Sequence, residues 1–291
     1  MNFLNRLYRT CSSPESLVVG GFALLIVLGA LLLWSPWAHS DRPLSFIDAL
    51  FTSTSAVCVT GLVVLDTGRD FSYFGQIVIV LLIQAGGLGI MTFAALTFQI
   101  LGLRFSLQTS AVLHETFFQK DIGSRFQDAF KMILALTLAI EGIGMIALTL
   151  FFAPHLDNFS DVIFYSFFHS VSAFCNAGFS LASENLVLWR DSIGIMFTIM
   201  ILIILGGLGY SVLLELFSRL GAQVSGNSTD WPIAFSLHSR VVLLVSGVLI
   251  VSGAVLMVLL GLTVDETSVY QKFMNSLFQS VSARTAGFNS V

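Results

Sequence analysis

The sequence predicts an all-α polytopic membrane protein, and three observations lead to that fold class. Of the 291 residues, 56% are hydrophobic and only 10% are charged, whereas an ordinary soluble domain carries about 25% charged residues. Five apolar stretches are long enough to cross ~30 Å of hydrocarbon, which takes about 20 helical residues. Three shorter helical segments lie between them and end alike. The composition excludes a soluble enzyme, a disordered chain and a nucleic-acid-binding protein, which would need a basic face.

The five predicted spans are predominantly apolar and carry few charges. They cover residues 17–35, 74–101, 130–153, 192–218 and 238–262. The first stretch is longer than the apolar core of a typical secretory signal and no convincing cleavage site follows it, so we expect a retained span. The three cysteines have no metal-binding spacing, and we expect small buried apolar residues rather than disulfide partners at Cys11, Cys58 and Cys175.

The three shorter segments combine apolar residues at helical spacing with Ser, Thr and Gln. They cover residues 45–58, 160–174 and 268–283. This length is typical of re-entrant or interfacial helices rather than of spans. Ser45 and the Ser160-Asp161 pair have the chemistry of helix N-caps.

The distribution of Lys and Arg predicts a cytoplasmic N-terminus. In that orientation eight of the 13 basic residues fall on the cytoplasmic side and five on the outer side, in agreement with the positive-inside rule. All three short segments then lie on the outer side, together with ten of the 17 acidic residues. This acidic surface would raise the local concentration of cations.

The short segments end in one repeated pattern that leads to a glycine. Residues 55–62 read SAVCVTGL, residues 172–179 read SAFCNAGF, and residues 282–288 read SARTAGF, which is one residue shorter. The spans that follow the first two segments also match, because each carries the sequence GGLG, at 86–89 and at 206–209. The chain is therefore predicted to contain a unit of span, short helix, glycine turn and span, twice complete and once cut short.

Such a unit has a physical consequence for the chain that follows each short helix. That chain cannot expose its carbonyl groups to lipid, so they must face protein or a water-filled path. Several such segments around one axis would form rings of carbonyl oxygens that replace the hydration shell of a cation. Glycine supplies the unusual backbone angles, and the C-terminal ends of the short helices direct partial negative charge at the axis.

The candidate cation-binding residues act through their backbone carbonyls. They are Val59, Thr60, Gly61, Asn176, Ala177, Gly178, Thr285, Ala286 and Gly287. The alternative is that these residues only form turns after short helices.

These three segments resemble the first three filter segments of the Trk/Ktr/HKT superfamily of potassium transporters. The stretch from Asp48 to Thr67 is especially similar, and the resemblance extends from about Pro14 to Val291. The first predicted span begins close to the N-terminus, without the two leading helices of Trk-type subunits, which favours a bacterial Ktr-type membrane subunit.

The resemblance implies four repeats around a pseudo-fourfold pore, a homodimer in the bacterial cytoplasmic (inner) membrane, and a cytosolic nucleotide-binding ring subunit of the RCK/KTN type. It also implies potassium uptake, often dependent on sodium, with K+ as the substrate and no covalently bound cofactor. In plant relatives that favour sodium a serine replaces the first filter glycine, so Gly61 indicates potassium. The family's gating loop belongs to the inner span of the third repeat, and we expect a truncated chain that does not conduct by itself.

The resemblance and the hydropathy together divide the chain into six regions. These are a cytoplasmic N-terminus (1–16), a first pore repeat (17–101), a cytoplasmic connection (102–129), a second pore repeat (130–218), a second cytoplasmic connection (219–237) and an incomplete third pore repeat (238–291). By resemblance, the first connection would meet the cytosolic ring.

Two charged residues lie close to or within predicted membrane segments. Glu141 lies in a span, where an ionisable group costs about 2.5–3.5 kcal/mol on insertion scales. It is either functional or, as we favour, hydrogen-bonded inside the bundle away from the filter segments. Arg284 precedes the third filter segment, where a cation would repel potassium, so we expect it to point behind that segment towards an acid.

Other polar residues and glycines have structural interpretations. His169 is expected to pack within its short helix, and Glu215 is expected to pair with Arg219 at i, i+4. The two GGLG runs lie inside predicted spans, so they predict close helix packing rather than a dinucleotide-binding loop.

Two other functions stay open. A membrane enzyme would gather catalytic groups at one membrane face, but no acid–base or nucleophile set recurs in the sequence. A non-conducting truncated subunit or fragment is the second alternative.

Overall fold

The computed structural model describes residues 14–40, 42–89, 126–225, 235–261 and 269–291. Within these ranges the regular structure is helical, apart from one isolated bridge between His39 and Phe71. The described helices are α1 (Pro14–Trp34), α2 (Phe46–Val57), α3 (Tyr73–Gly87), α4 (Phe126–Phe152), α5 (Phe159–Phe174), α6 (Ile193–Gly207), α7 (Tyr210–Ser225), α8 (Leu237–Leu259) and α9 (Val269–Thr285), with a 3₁₀ turn at Val187–Trp189. This confirms the predicted helical class.

The described residues divide into two compact units. The first contains residues up to 59 and from 63 to 134, and the second contains residues 60–62 and from 135 onward. In the first unit α1, α2 and α3 pack on one another. In the second unit α5 packs on α6, α9 packs on α6 and α8, and α7 packs on α8.

Three of the five predicted spans, 17–35, 130–153 and 238–262, correspond to the single helices α1, α4 and α8. Among the described residues, Lys131–Phe152 and Leu237–Leu259 are long and apolar enough to cross a membrane. Helix α8 exposes many large apolar side chains, including Leu244, Val248 and Val251. A helix that presents apolar residues to its surroundings in this way is typical of contact with lipid.

The predicted span at 192–218 is wrong as a continuous helix. Helix α6 ends at Gly207 and α7 begins at Tyr210, and the two are bent by 110°. Gly209 has φ +82°, which is the left-handed conformation that commonly ends a helix. The GGLG run therefore stops the helix as well as packing it.

The packing predicted for the GGLG glycines is confirmed. A Cβ atom at Gly86 would collide with the Val57 carbonyl oxygen at the end of α2, and one at Gly206 would collide with the Phe174 carbonyl oxygen at the end of α5. Each of these glycines therefore lets a span helix lie directly against the end of a short helix.

All three repeats share a contact that the sequence pattern did not reveal. In each, a serine of the short helix donates a 2.7 Å hydrogen bond to a backbone carbonyl of the preceding long helix. The pairs are Ser53 with Ile26, Ser170 with Glu141, and Ser280 with Ile250. Three residues after each of these carbonyls comes a glycine at which a Cβ atom would meet the serine, and these are Gly29, Gly144 and Gly253.

The predicted helix caps are partly right. Ser45 caps α2, because its hydroxyl accepts a 3.1 Å hydrogen bond from the Asp48 backbone amide. The prediction for Ser160 is wrong, since Asn158 is the N-cap of α5. The Asn158 side chain donates to the Asp161 carboxylate at 3.1 Å instead of capping the helix.

The predicted pair of Glu215 and Arg219 is confirmed at 2.9 Å. Glu215 also accepts hydrogen bonds from the Ser236 backbone amide and hydroxyl, each at 2.8 Å, and from the Ser239 hydroxyl. Ser236 is the N-cap of α8. The carboxylate therefore fastens α7 to the positive end of α8.

Several predictions fall partly outside the described residues. These are Cys11, most of the N-terminal segment (residues 1–16), the end of the span 74–101, most of the connection 102–129 and the middle of the connection 219–237. Of the other two cysteines, Cys175 is half-buried, but Cys58 is exposed, so its prediction as a buried residue is wrong.

Candidate functional site

Two of the short helices end in the same backbone conformation. Helix α2 is followed by Cys58 and then by Val59 with φ +54°, and α5 is followed by Cys175 and then by Asn176 with φ +58°. A left-handed residue after a helix turns the chain away from the helix axis. The candidate segment begins at this turn in both repeats.

The third repeat reaches its glycine differently. Helix α9 continues through Thr285, and no left-handed residue separates it from Gly287. The one-residue shortening seen in the sequence accounts for this, because the position taken by Val59 and Asn176 in the other repeats is missing. Thr285 therefore lies in a helical turn rather than in the extended segment that the repeat pattern predicts.

The three glycines all require the left-handed region. Gly61 has φ +77°, Gly178 has φ +71° and Gly287 has φ +72°. Residues with a side chain rarely adopt these angles. The choice of glycine at these positions is therefore explained by backbone conformation in every repeat.

The structure brings the three glycine turns into contact within the second unit. A Cβ atom at Gly61 would lie 2.6 Å from the Ala177 carbonyl oxygen. One at Gly178 would lie 2.5 Å from the Ala286 oxygen, and one at Gly287 would lie 3.7 Å from the Thr60 oxygen. Each glycine thus faces the carbonyl that precedes the glycine of another segment.

This arrangement places together most of the residues predicted to bind a cation. Thr60 and Gly61, Asn176 to Gly178, and Thr285 to Gly287 meet in one unit. The Thr285 hydroxyl also donates to the Asn176 side-chain oxygen at 3.1 Å. Val59 belongs to the other unit. The role of these carbonyls as cation ligands stays a prediction.

Serine side chains of two short helices form hydrogen bonds with the residue that follows the glycine of the same repeat. The Ser172 hydroxyl donates to the Phe179 carbonyl oxygen at 2.7 Å, and the Ser282 hydroxyl donates to the Phe288 carbonyl oxygen at 2.6 Å. Both serines are buried in their short helices. The serine at the start of the repeated pattern is thus a support for the residue after the glycine, a role that the sequence reasoning missed.

A loop that follows the second segment adds support that the sequence reasoning also missed. The Asn185 side-chain amide donates to the Gly178 carbonyl oxygen at 3.2 Å, and its oxygen accepts from the Asn289 backbone amide at 3.3 Å. Asn185 has φ +57°, and Asn tolerates this conformation better than most residues. Because this residue is not part of the repeat, no sequence signal singled it out.

His169 packs as predicted and also forms hydrogen bonds. Its buried ring lies against the rings of Phe152, Tyr165 and Trp189. Its Nδ1 atom is 2.8 Å from the Tyr165 carbonyl oxygen and its Nε2 atom is 3.0 Å from the Ser180 hydroxyl. A carbonyl can only accept, so Nδ1 carries a proton and donates to Tyr165.

The predicted location of Glu141 is wrong in one respect. The residue is buried, with 6% of its surface exposed, as expected for a glutamate inside the bundle. It does not lie away from the candidate segments, however, because its Oε1 atom is 3.9 Å from the Cys175 sulfur. Cys175 directly precedes Asn176, so the carboxyl group lies next to the start of the second segment.

For Arg284, the hydrogen-bond partner found among the described residues is a hydroxyl rather than the expected acid. Its guanidinium donates to the Ser246 hydroxyl on α8 at 3.1 Å. The same nitrogen would lie 3.8 Å from a Cβ atom at Gly207 of α6. The side chain therefore contacts helices of its own unit, and an acid partner for it stays a prediction.

Comparison with known proteins points to one family over almost the whole chain. The family model TrkH, described as cation transport protein, matches residues 10–291. The chain is 37% identical to the Ktr system potassium uptake protein B of Bacillus subtilis, over 96% of this chain and 61% of that protein. It is 35% identical to the potassium/sodium uptake protein NtpJ of Enterococcus hirae, over 100% of this chain and 63% of that protein.

A solved structure agrees with the fold. The crystal structure of the potassium transporter TrkH from Vibrio parahaemolyticus matches with a TM-score of 0.66 and 21% sequence identity. The match covers 96% of this chain and 52% of that one. The chain thus spans about three fifths of the length of the curated relatives that it matches.

Proposed function

Because the chain belongs to the TrkH family of cation transport proteins, we propose that it is part of the membrane subunit of a potassium uptake system. In this subunit dehydrated K+ would pass along backbone carbonyl oxygens. The observation that carries the proposal is that the three glycine turns lie against one another. All three glycines have positive φ, and at Gly61 and Gly178 a Cβ atom would also collide with a neighbouring carbonyl oxygen. Carbonyl oxygens held on several sides of one axis can replace the hydration shell of K+.

The carbonyls proposed to contact the ion come from all three segments. They belong to Val59, Thr60, Gly61, Asn176, Ala177, Gly178, Thr285, Ala286 and Gly287. K+ is the substrate rather than a resident cofactor. We also propose that uptake depends on Na+, and the name of the Enterococcus hirae relative, a potassium/sodium uptake protein, is compatible with this.

The assembly is proposed on the same basis. The Bacillus subtilis relative is named as protein B of a Ktr system, which fits a membrane subunit that works with a cytosolic nucleotide-binding ring of the RCK/KTN type. The membrane subunit would form a homodimer in the bacterial cytoplasmic membrane, with its N-terminus inside. The excess of Lys and Arg on the connections assigned to the cytoplasm supports this orientation.

The test uses the complete reading frame from which this chain comes, expressed in a bacterium that lacks its own potassium uptake. We expect growth on low potassium and saturable K+ uptake by the unchanged protein. Gly178→Ala places a Cβ atom against the Ala286 oxygen at a left-handed position, so it should lower uptake by tenfold or more, on the order of 1.4 kcal/mol or above.

The matched control is Gly207→Ala, which introduces the same methyl group where the nearest atom is 3.7 Å away. It should leave uptake close to that of the unchanged protein. No K+ uptake by the unchanged protein, despite normal insertion in the membrane, would refute the proposed function. Equal uptake by the two alanine variants would refute the assignment of the glycine turn to the ion path.

A further inference from the structure

We propose that Asn185 is a positioning residue that orients the Gly178 carbonyl and thereby strengthens discrimination between K+ and Na+. The inference rests on the proposed function, in which the Gly178 carbonyl lines the ion path. It concerns a residue outside the repeated pattern, on the loop between the second segment and α6. The Asn185 side chain contacts Gly178 in the second segment and Asn289, two residues after the glycine of the third segment.

Both polar atoms of the Asn185 side chain form hydrogen bonds. Its nitrogen donates to the Gly178 oxygen at 3.2 Å, and its oxygen accepts from the Asn289 backbone amide at 3.3 Å. The next residue adds a backbone hydrogen bond, because the Leu186 amide donates to the Asn289 backbone carbonyl oxygen at 2.9 Å. One side chain thus joins the second glycine to the chain just after the third.

The loop that carries Asn185 is itself held by buried groups. The Ser180 hydroxyl accepts a 3.1 Å hydrogen bond from the Ala182 amide and lies 3.0 Å from His169 Nε2 and 3.4 Å from the Asn185 carbonyl oxygen. The other ring nitrogen of His169 donates to the Tyr165 carbonyl oxygen. On the far side, Gln279 donates to the Asn289 side-chain oxygen at 3.0 Å. The loop that carries Asn185 is therefore held in place by hydrogen bonds, and this fixes the position of the Asn185 amide beside the Gly178 carbonyl.

This hydrogen bond has a specific consequence for a carbonyl that also binds a cation. A carbonyl oxygen has two lone pairs, so one can accept from Asn185 while the other faces the ion. The bond limits the swing of the peptide plane and draws electron density from the oxygen, which lowers its field strength. Discrimination between K+ and Na+ depends on the size, number and field strength of the carbonyl ligands. Without the amide, the oxygen can move inward and serve the smaller ion better.

Two substitutions remove the donor in different ways. Asn185→Asp keeps the size, the tolerance of positive φ and the acceptor for the Asn289 amide, but it cannot donate to Gly178 and adds a charge. Asn185→Gly keeps the backbone conformation without strain and adds no charge. The control is Glu184→Gln, which changes the charge of the adjacent exposed residue and leaves the amide of Asn185 in place.

The measurement is the ratio of K+ to Na+ uptake by the complete protein, together with the ratio of the Na+ concentration to the K+ concentration needed for the same rise of its melting temperature in detergent. Both Asn185 variants should lower both ratios by about three- to tenfold, the range that corresponds to one hydrogen bond. Glu184→Gln should leave them unchanged. The ratio from melting temperatures measures the same ion preference in purified protein. It therefore tests a variant even if less of that variant inserts into the membrane.

Several results would overturn the inference while the proposed function stands. One is a ratio unchanged in both Asn185 variants although the unchanged protein transports K+. A second is a change in stability alone, with both ratios preserved, which would make Asn185 a structural clamp. A third is a shift in Asn185→Asp and an opposite shift in Glu184→Gln with none in Asn185→Gly, which would assign the effect to charge. If the unchanged protein takes up no K+, the proposed function fails first.

Discussion

In the second repeat the Ser172 hydroxyl donates to the Phe179 carbonyl oxygen at 2.7 Å, whereas in the first repeat the corresponding hydroxyl, of Ser55, is buried without a hydrogen-bond partner among the described residues. The residues after the glycine differ as well. Phe179 is completely buried, but the Leu62 side chain is 60% exposed. The two repeats therefore share one sequence pattern and one helix end. Among the described residues, however, a serine hydroxyl supports the chain beyond the glycine in the second repeat and not in the first.

This difference separates two levels of structure. The turn itself follows from local sequence, because a short helix, a left-handed residue and a glycine occur in both repeats. The support behind the turn depends on what other elements of the fold supply. In the second repeat these elements are Ser172 and the loop of Asn185. We infer that the second segment is the more rigid of the two, and the following predictions test this.

The largest effect on ion preference is expected from Gly61→Ser in the first repeat. Its Cβ atom would lie 2.6 Å from the Ala177 oxygen at φ +77°, so the carbonyl must shift to make room. We expect the complete protein to keep K+ uptake but to lose about 1.4 kcal/mol of preference over Na+, which is about tenfold. The ratio of K+ to Na+ uptake measures this.

The comparator for this prediction is Gly178→Ser in the second repeat. There a Cβ atom meets the Ala286 oxygen at 2.5 Å and two Gly287 atoms within 3.0 Å, on a segment that is held from behind. We therefore expect loss of uptake rather than altered preference. An unchanged preference in Gly61→Ser would count against the filter assignment, and equal behaviour of the two variants would count against a difference in rigidity.

A smaller effect on transport is expected from removal of the supporting serine, which acts mainly on stability. Ser172→Ala leaves the Phe179 carbonyl oxygen without its buried donor, which should lower the free energy of unfolding by about 1–3 kcal/mol. Ser55→Ala removes a hydroxyl that has no partner among the described residues, so its effect should lie near zero or be slightly stabilising. Denaturation of the purified protein in detergent measures both changes. A loss from Ser55→Ala as large as that from Ser172→Ala would show that the first segment is supported equally.

The smallest effect on transport concerns the residue that begins each turn. Val59 and Asn176 hold the same left-handed conformation, with φ +54° and +58°. A β-branched residue is strained there, by ~1–2 kcal/mol, whereas Asn is tolerated. Val59→Asn should therefore raise the free energy of unfolding by about 1 kcal/mol without altering the ratio of K+ to Na+ uptake. A decrease in stability would mean that packing of the Val59 side chain outweighs the backbone strain.

Much of the fold followed from the sequence, because membrane segments obey simple constraints of length and polarity. The short helices predicted at 45–58, 160–174 and 268–283 correspond closely to α2, α5 and α9. The long helices α4 and α8 lie within one to four residues of the predicted starts and ends. The prediction failed at 192–218, since hydropathy does not register the left-handed turn at Gly209 that bends the helix by 110°.

The candidate site was only partly predictable for a related reason. The repeated pattern located Gly61, Gly178 and Gly287, because the backbone conformation at each turn excludes side chains and repetition makes that constraint visible. It could not show that Asn185 contacts Gly178, that Glu141 lies beside Cys175, or that Arg284 reaches Ser246. Glu141 and Cys175 are 34 residues apart and Arg284 and Ser246 are 38 apart. Asn185 is only seven residues from Gly178, but it lies on a loop outside the repeated pattern.

The amino-acid sequence by itself determined the membrane class, the helical repeats and the glycine turns, since these depend on the solvent around a segment and on local backbone sterics. The tertiary structure decided which carbonyl faces which glycine, which hydroxyl supports which turn, and where the predicted span at 192–218 breaks. The physical reason is that a hydrogen bond or a steric contact between distant residues depends on the packing of whole helices, and no single segment of the chain contains that information.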